Sequence, residues 1–268
     1  MKMDCYAGGL IGGAINSSII LNGNTDDATL KATMTINVLN SNDSKEESAA
    51  GGIVGYMFDT SFTSNLKMEI TTGLGTSTAE GDYVGGLFGY MSNGIFTSTK
   101  DIKYTTTAKG KYVGGFAGYM DSMECNIEGT VTANSVLIGN YAGGFAGNAT
   151  QTLADGEKSD SKKFEAENII FVTTIETDDA YTGIATGGLF GNTSNQYFDI
   201  KSVSLLSKTG KLSIVNQAEY SGGVFGYDEG STIIEDKGHT YVLKGDSEQI
   251  ESSNTKCSLG GFAGYLKN

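Results

Sequence analysis

The chain reads as an all-β protein: a right-handed, parallel β-helix-like β-solenoid of about eight coils with loop insertions. Three observations predict it. First, a glycine-rich unit, seen in Tyr83-Val84-Gly85-Gly86-Leu87-Phe88-Gly89-Tyr90-Met91, recurs eight times. The copies, numbered one to eight, span residues 6–14, 49–57, 83–91, 112–120, 141–149, 185–193, 220–228 and 258–266. Second, the first glycines of successive copies (Gly8, Gly51, Gly85, Gly114, Gly143, Gly187, Gly222, Gly260) come as close as the steps Gly85–Gly114–Gly143. Those steps hold two or three short strands but not a four-stranded propeller blade, which needs about 40 residues. Third, the segments between copies are rich in Thr and β-branched residues, with no helical period beyond a turn or two.

The unit itself sets the phase. With the first glycine as position zero, positions zero, +1 and +4 are glycine in all eight copies. Position +2 is apolar (Leu10, Ile53, Leu87, Phe116, Phe145, Leu189, Val224, Phe262), and so is +3 (Ile11, Val54, Phe88, Ala117, Ala146, Phe190, Phe225, Ala263). If the unit is one strand, alternation puts +2, the −2 Tyr and the +6 Met (Met57, Met91, Met120) on the core face, and +3 with the +5 Tyr on the other. Glycines inside a strand imply a bend, a positive φ at a corner, or a close backbone approach.

The remaining elements follow in order. Ser17–Leu21 is a short strand, Asn22–Asp27 a turn, Thr29–Leu39 a strand and Asn40–Ser48 an exposed loop. Later units read Ser61–Thr63 with Lys67–Thr72, Ile95–Thr99 with Ile102–Thr105, and Met123–Ile127 with Thr130–Thr132. An apolar residue recurs at +11 (Ile19, Phe62, Phe96, Phe198, Ile233). Gln151–Lys163 is the longest polar insertion; Phe164–Thr174, Lys211–Asn216 and Thr240–Lys244 are strands, and Thr177–Thr182 is a turn. Parallel pairing of each unit with its copy in the next coil suits the apolar residues at both +2 and +3.

Composition narrows the function. The 268 residues fit a single repeat domain spanning 1–268, and the lack of atypical terminal caps suggests a piece of a longer chain or a subunit that stacks end to end. The net charge is −13 and all 18 basic residues are lysine, so nucleic acid and anionic membrane are poor partners. No apolar run is long enough to span a membrane. Cys5, Cys125 and Cys257 form no disulfide framework or zinc pattern and read as small buried hydrophobes.

The run Tyr-Val-Gly-Gly-Leu-Phe-Gly-Tyr, a turn with Asn93-Gly94-Ile95, a Ser/Thr-rich strand, then Gly110-Lys111-Tyr112-Val113-Gly114-Gly115 resembles the GLUG repeat. That repeat occurs in large bacterial surface proteins, in adhesins and in the non-catalytic stalks of some secreted immunoglobulin-cleaving metallopeptidases. The resemblance covers the chain through its eight units. It implies an extracellular β-solenoid module. The peptidase activity does not carry over, because HExxH is missing and His239 is the sole histidine.

Few residues suggest chemistry. The acidic pairs Asp26-Asp27, Asp178-Asp179, Asp228-Glu229 and Glu235-Asp236 could serve glycoside hydrolysis only if held about 5 to 10 Å apart, and they read as solvated turns. No cofactor is expected. Calcium is the one ion the composition suits, and its candidate ligands are Asp155, Glu157 and Asp160. Thr-x-Thr pairs (Thr33/Thr35, Thr97/Thr99, Thr105/Thr107) fall at different phases from the glycines, so a flat threonine ladder is not expected. The +3/+5 face is the candidate contact face: Phe88, Phe190 and Phe225 with Tyr90, Tyr119 and Tyr227 would make an aromatic stripe. The expectation is therefore a non-enzymatic, extracellular or cell-surface module. It would be an adhesin stalk or a self-associating fibre subunit, with glycan or a host surface protein as partner. A carbohydrate-binding or polysaccharide-degrading β-helix is the alternative.

Overall fold

The computed structural model describes residues 3–25, 27–36, 47–73, 79–153, 162–178, 180–205, 211–234, 238–243 and 247–267. Among them there is no helix, and all strand pairings are parallel. The strands form one sheet of eight and one of twenty. The eight-stranded sheet takes one strand from each copy in chain order: Ile11–Ile15, Val54–Phe58, Phe88–Ser92, Ala117–Asp121, Ala146–Thr150, Phe190–Ser194, Phe225–Glu229 and Ala263–Lys267. The register matches motif position to motif position along the whole sheet, as in Val54–Phe88–Ala117–Ala146–Phe190–Phe225–Ala263.

The glycine unit is not one strand. It is two, in different sheets, broken at +1 and +2. In copy three these are Ala79–Gly85 and Phe88–Ser92. At the break the +2 carbonyl accepts two bonds from the preceding copy: Leu87 N and Phe88 N both donate to Phe116 O, at 3.0 and 2.9 Å. The same pair joins Ile53 N and Val54 N to Leu87 O. The bend resets the alternation and overturns the predicted faces. Positions +2, +3 and +6 (Leu87, Phe88, Met91) all enter the main core, while the −2 and +5 tyrosines pack together in a second cluster.

The motif glycines serve close approach, not positive φ. A Cβ on Gly85 would lie 1.8 Å from Phe88 O, inside the tight turn. A Cβ on Gly118 would lie 2.4 Å from Val84 N, so the +4 glycine lets two strands touch backbone to backbone. Positive φ falls instead at +8, on Asn16, Asp59, Asn93, Ser122, Asn195 and Gly230, where the chain turns after the second strand. Asn and Asp tolerate this left-handed conformation better than other side chains.

The other strands lengthen what the sequence suggests. Ile102–Gly114 and Glu124–Gly143 are continuous and run into the next motif, where the sequence reading breaks them into pieces. Thr29–Met34 is shorter than expected, and 37–46 lie outside the described residues. Lys163–Glu176 and Lys211–Asn216 appear as anticipated. Facing inward, Ile19, Phe62, Phe96, Cys125, Phe164, Phe198 and Ile233 form one file in register. A second file runs Ala32, Ile70, Tyr104, Ala133, Phe171, with small residues beside large ones. Burying each Phe in these files contributes about 1.5–3 kcal/mol. Buried Thr72, Thr106, Ser135 and Thr173 stack in register beneath the motif. Their hydroxyls donate to the +1 glycine carbonyls of Gly86, Gly115, Gly144 and Gly188 at 2.8, 3.0, 3.4 and 2.8 Å.

Candidate functional site

The expected aromatic contact face is split by the fold. Phe88, Phe190 and Phe225 are buried, so they pack the core and offer no contact surface. The tyrosines form two files of graded exposure: Tyr83 and, against expectation, Tyr90 are buried, Tyr56, Tyr112, Tyr119, Tyr141 and Tyr227 are half-buried, and Tyr6 is exposed. Tyr6, Tyr56, Tyr90 and Tyr119 stack with ring centroids 5.6, 5.5 and 5.2 Å apart. Tyr83, Tyr112 and Tyr141 stack beside them at 5.2 and 4.8 Å, with nearly parallel ring planes. The files meet edge to face, as at Tyr83–Tyr90 (5.2 Å) and Tyr112–Tyr119 (5.2 Å). Parallel in-register pairing stacks each −2 residue on the next −2 and each +5 on the next +5, which is why like rings stack; Tyr6, a −2 residue, instead lies over Gly13 at the +5 place of copy one and so heads the +5 file.

Burial raises the pKa of Tyr56, Tyr83, Tyr90, Tyr112, Tyr119 and Tyr141. Burial, then Glu47, which accepts from Tyr83 Oη at 3.0 Å, pushes Tyr83 well above the ordinary value. Tyr112 is pushed up to about 12, by burial and then by its neighbour Tyr141. Tyr141 is raised by burial and by Glu219. These phenols stay neutral and act as rings and hydrogen-bond donors.

The files are interrupted. At copies five and six the +5 residues are Asn148 and Asn192, and the −2 residue of copy six is Ala185. Stacking resumes with Tyr220, Tyr227 and Tyr265. Asn192 Nδ2 donates to Asn148 Oδ1 at 2.6 Å. Asn148 is buried, and its Nδ2 has no acceptor. A buried donor without a partner costs about 1–3 kcal/mol. In the sequence Asn148 and Asn192 stand out only as two asparagines at +5, each within an N-x-S/T sequon, and neither feature shows that they fall in neighbouring strands.

Other candidates fare differently. Asp155, Glu157 and Asp160 lie outside the described residues, as do Asp26, Asp179, Glu235 and Asp236. Among the described residues no three His, Cys, Asp or Glu gather as a metal site. Asp228 is no solvated turn residue. It occupies a +6 position that holds Met in copies two to four, it is buried, and Thr193 Oγ1 donates to it. Burial raises its carboxyl pKa, partly offset by hydrogen bonds from Ser231 and Thr193. Glu229 beside it is half-buried and pairs with Lys267 at 2.6 Å. His239 Nε2 lies 2.7 Å from Asp199 Oδ1 on the outer face. Cys125 is buried among the phenylalanines, Cys5 is exposed and Cys257 half-buried; all three are free thiols. The small-hydrophobe reading thus holds for Cys125 alone. Thr33, Thr71 and Thr105 do stack in register on the outer face, contrary to expectation, but the file ends at Asn134 and Val172.

A polar groove of about 600 Å³ follows the +8 corner, lined by Asn16, Asp59, Asn93, Glu124 and Lys162 among others. Lys162, at the foot of the long insertion, reaches back to Asn93 Oδ1 at 2.7 Å and Ser122 O at 2.8 Å. No helix among the described residues is long and apolar enough to cross a membrane. No family model, curated protein or solved structure matches the chain.

Proposed function

We propose that the chain is a right-handed β-solenoid of eight coils serving as an extracellular structural and adhesive module, in the manner of the surface proteins that carry GLUG-type repeats. The observation that carries the reading is the register of the eight-stranded sheet. One strand from each copy pairs in parallel with the next, position for position, and the insertions all fall between the repeated strands. Parallel crossovers in one sheet are right-handed in nearly all proteins, which supports the handedness. Rod-like stacking uses the repeats as length and leaves the outer faces for contact. The net charge of −13 favours neutral or cationic partners.

Two measurements test it. Deleting residues 85–113, one whole unit, should leave a cooperatively folded, β-rich chain by circular dichroism, because the strands on either side keep register-matched partners. Beads coated with the chain should adhere under flow to surfaces bearing neutral glycans or host cells, and beads coated with albumin should not. Loss of cooperative folding on that deletion would remove the solenoid, and equal detachment of both bead types would remove adhesion.

A further inference from the structure

We propose that copies of this chain stack head to tail, the outer edge of copy eight in one chain on the outer edge of copy one in the next, and that a disulfide between Cys257 and Cys5 of the two chains locks the junction. The inference goes beyond the adhesive reading and stands on the register alone. Inside the chain each copy offers its neighbour the same contact. From copy one to copy seven, the +2 and +3 amides donate to the +2 carbonyl of the following copy, as Val224 N and Phe225 N do to Phe262 O at 2.8 and 3.1 Å. By the same geometry Phe262 N and Ala263 N point past copy eight, and Leu10 O points away from copy two. None of the three has a partner among the described residues. Unpaired edges of this kind accept a further strand. Gly261 fits such an addition. In copies one to seven a Cβ on the +1 glycine would lie between 2.0 and 2.3 Å from the +1 carbonyl of the next copy. On Gly261 a Cβ would meet nothing within 4 Å, so the single chain does not require this glycine. A stacked copy one does, because its Gly9 carbonyl falls at that place.

Side chains match across the junction as well. Tyr265 is the last ring of the +5 file and Tyr6 heads it, and both are exposed. One more step of the stack sets them face to face, as Tyr227 and Tyr265 are at 5.5 Å. Leu10 and Phe262 are the two +2 residues that are not fully buried, and they cover each other in the stack. The cysteines fix the direction. Cys5 and Cys257 both stand at position −3, and no other copy has cysteine there. Register carries −3 over −3, as Cys5 over Ser48, so stacking sets Cys257 beside Cys5 of the next chain with Cα atoms about 4.8 Å apart, a span that a disulfide bridges. Both are free thiols, Cys5 exposed and Cys257 half-buried. The oxidant is a low-molecular-weight disulfide such as oxidised glutathione. One molecule of it takes both electrons and both protons: the Sγ–Sγ bond forms, the oxidant's S–S bond breaks and two glutathione thiols leave. Among the described residues copy eight supplies only its two motif strands, so the contact spans part of the ring and the covalent bond secures it. A head-to-tail contact does not close on itself, so the product is an open file of chains.

The test treats the full chain with oxidised glutathione at about 0.15 M salt, which screens the repulsion between chains of charge −13. Non-reducing gels and peptide mass mapping read the products. A ladder of oligomers joined Cys5 to Cys257 is expected. Cys5→Ser and Cys257→Ser should each stay monomeric alone and give dimers, without higher oligomers, when mixed. Gly261→Ala should keep the wild-type melting temperature, since its methyl meets open space in the single chain, yet slow cross-linking by roughly tenfold or more. Three results would overturn the junction: monomers carrying glutathione with no oligomers, bonds mainly between like cysteines, or a Gly261→Ala chain that cross-links as fast as the wild type. The serine pair decides the matter if the alanine variant does not fold.

Discussion

Position +3 shows how single residues share the interior. Where +3 is Phe (Phe88, Phe190, Phe225), +2 is Leu or Val; where +3 shrinks to Ala (Ala117, Ala146, Ala263), +2 is Phe. From copy three onward each copy supplies one ring to the same place, and Phe116 stacks on Phe145 at 4.4 Å. Phe190→Ala should therefore destabilise by about 3–5 kcal/mol in chemical denaturation. The double variant Leu189→Phe/Phe190→Ala, which copies the Phe116-Ala117 arrangement, should recover much of that loss. Asp228 makes a pH prediction. Its folded pKa is raised, so its contribution to stability is fully present below the ordinary carboxyl value and is lost as pH rises through the folded value. Asp228→Asn should be at least as stable as the wild type at pH 7, and the wild type should gain relative to it near pH 3.5. Denaturation at the two pH values checks the sign.

At the scale of the element, the corner at +8 and the contact at +4 govern where strands end. Asn93 has φ near 51°, so Asn93→Gly should be neutral or slightly stabilising, whereas Asn93→Val should lose about 1–2 kcal/mol or more. Gly118→Ala should cost more than either, because its methyl would press on the Val84 backbone, which cannot yield like a flexible side chain. Thermal melts of the three variants would rank them. These devices were only partly legible in the sequence. The eight glycine units, the apolar pairs and the +11 file were readable because each repeats on a fixed period. The break inside the unit was not, since a bend between two strands and a bulge within one strand place the same glycines. The +8 corner escaped because Asn, Asp, Ser and Gly share a backbone tolerance rather than an identity. Long strands such as Glu124–Gly143 were hidden because polar and glycine residues interrupt their alternation; Gly129 lies at an irregularity between Ile127 and Thr130, whereas Gly139 pairs with Gly110.

For the molecule as a whole, burial is uneven along the stack. The inward residues of copies three to six are buried, while Leu10, Leu259 and Leu266 in the first and last copies are exposed. Amide hydrogen exchange should accordingly be slowest in Phe88–Ser92 and Ala117–Asp121 and fastest in Ala263–Lys267. Uniform protection along the chain would mean that the copies unfold together rather than from the ends. The interruption of the tyrosine files belongs to this scale too. No single residue announces it. It exists only because two asparagines and an alanine fall where neighbouring copies place rings, a relation that register reveals and a linear reading does not.

The match of register to motif, position by position, has a consequence for how such a chain can change. Copies three, four and five follow one another without insertion, and the break after Gly85 is chemically the same as the break after Gly114. Recombination between these stretches of coding sequence would delete or add a whole unit and leave every surviving strand with a compatible neighbour. The protein would then lengthen or shorten by one interstrand step, about 4.8 Å at a time. Heredity could adjust its reach as a ruler is cut, at marked divisions.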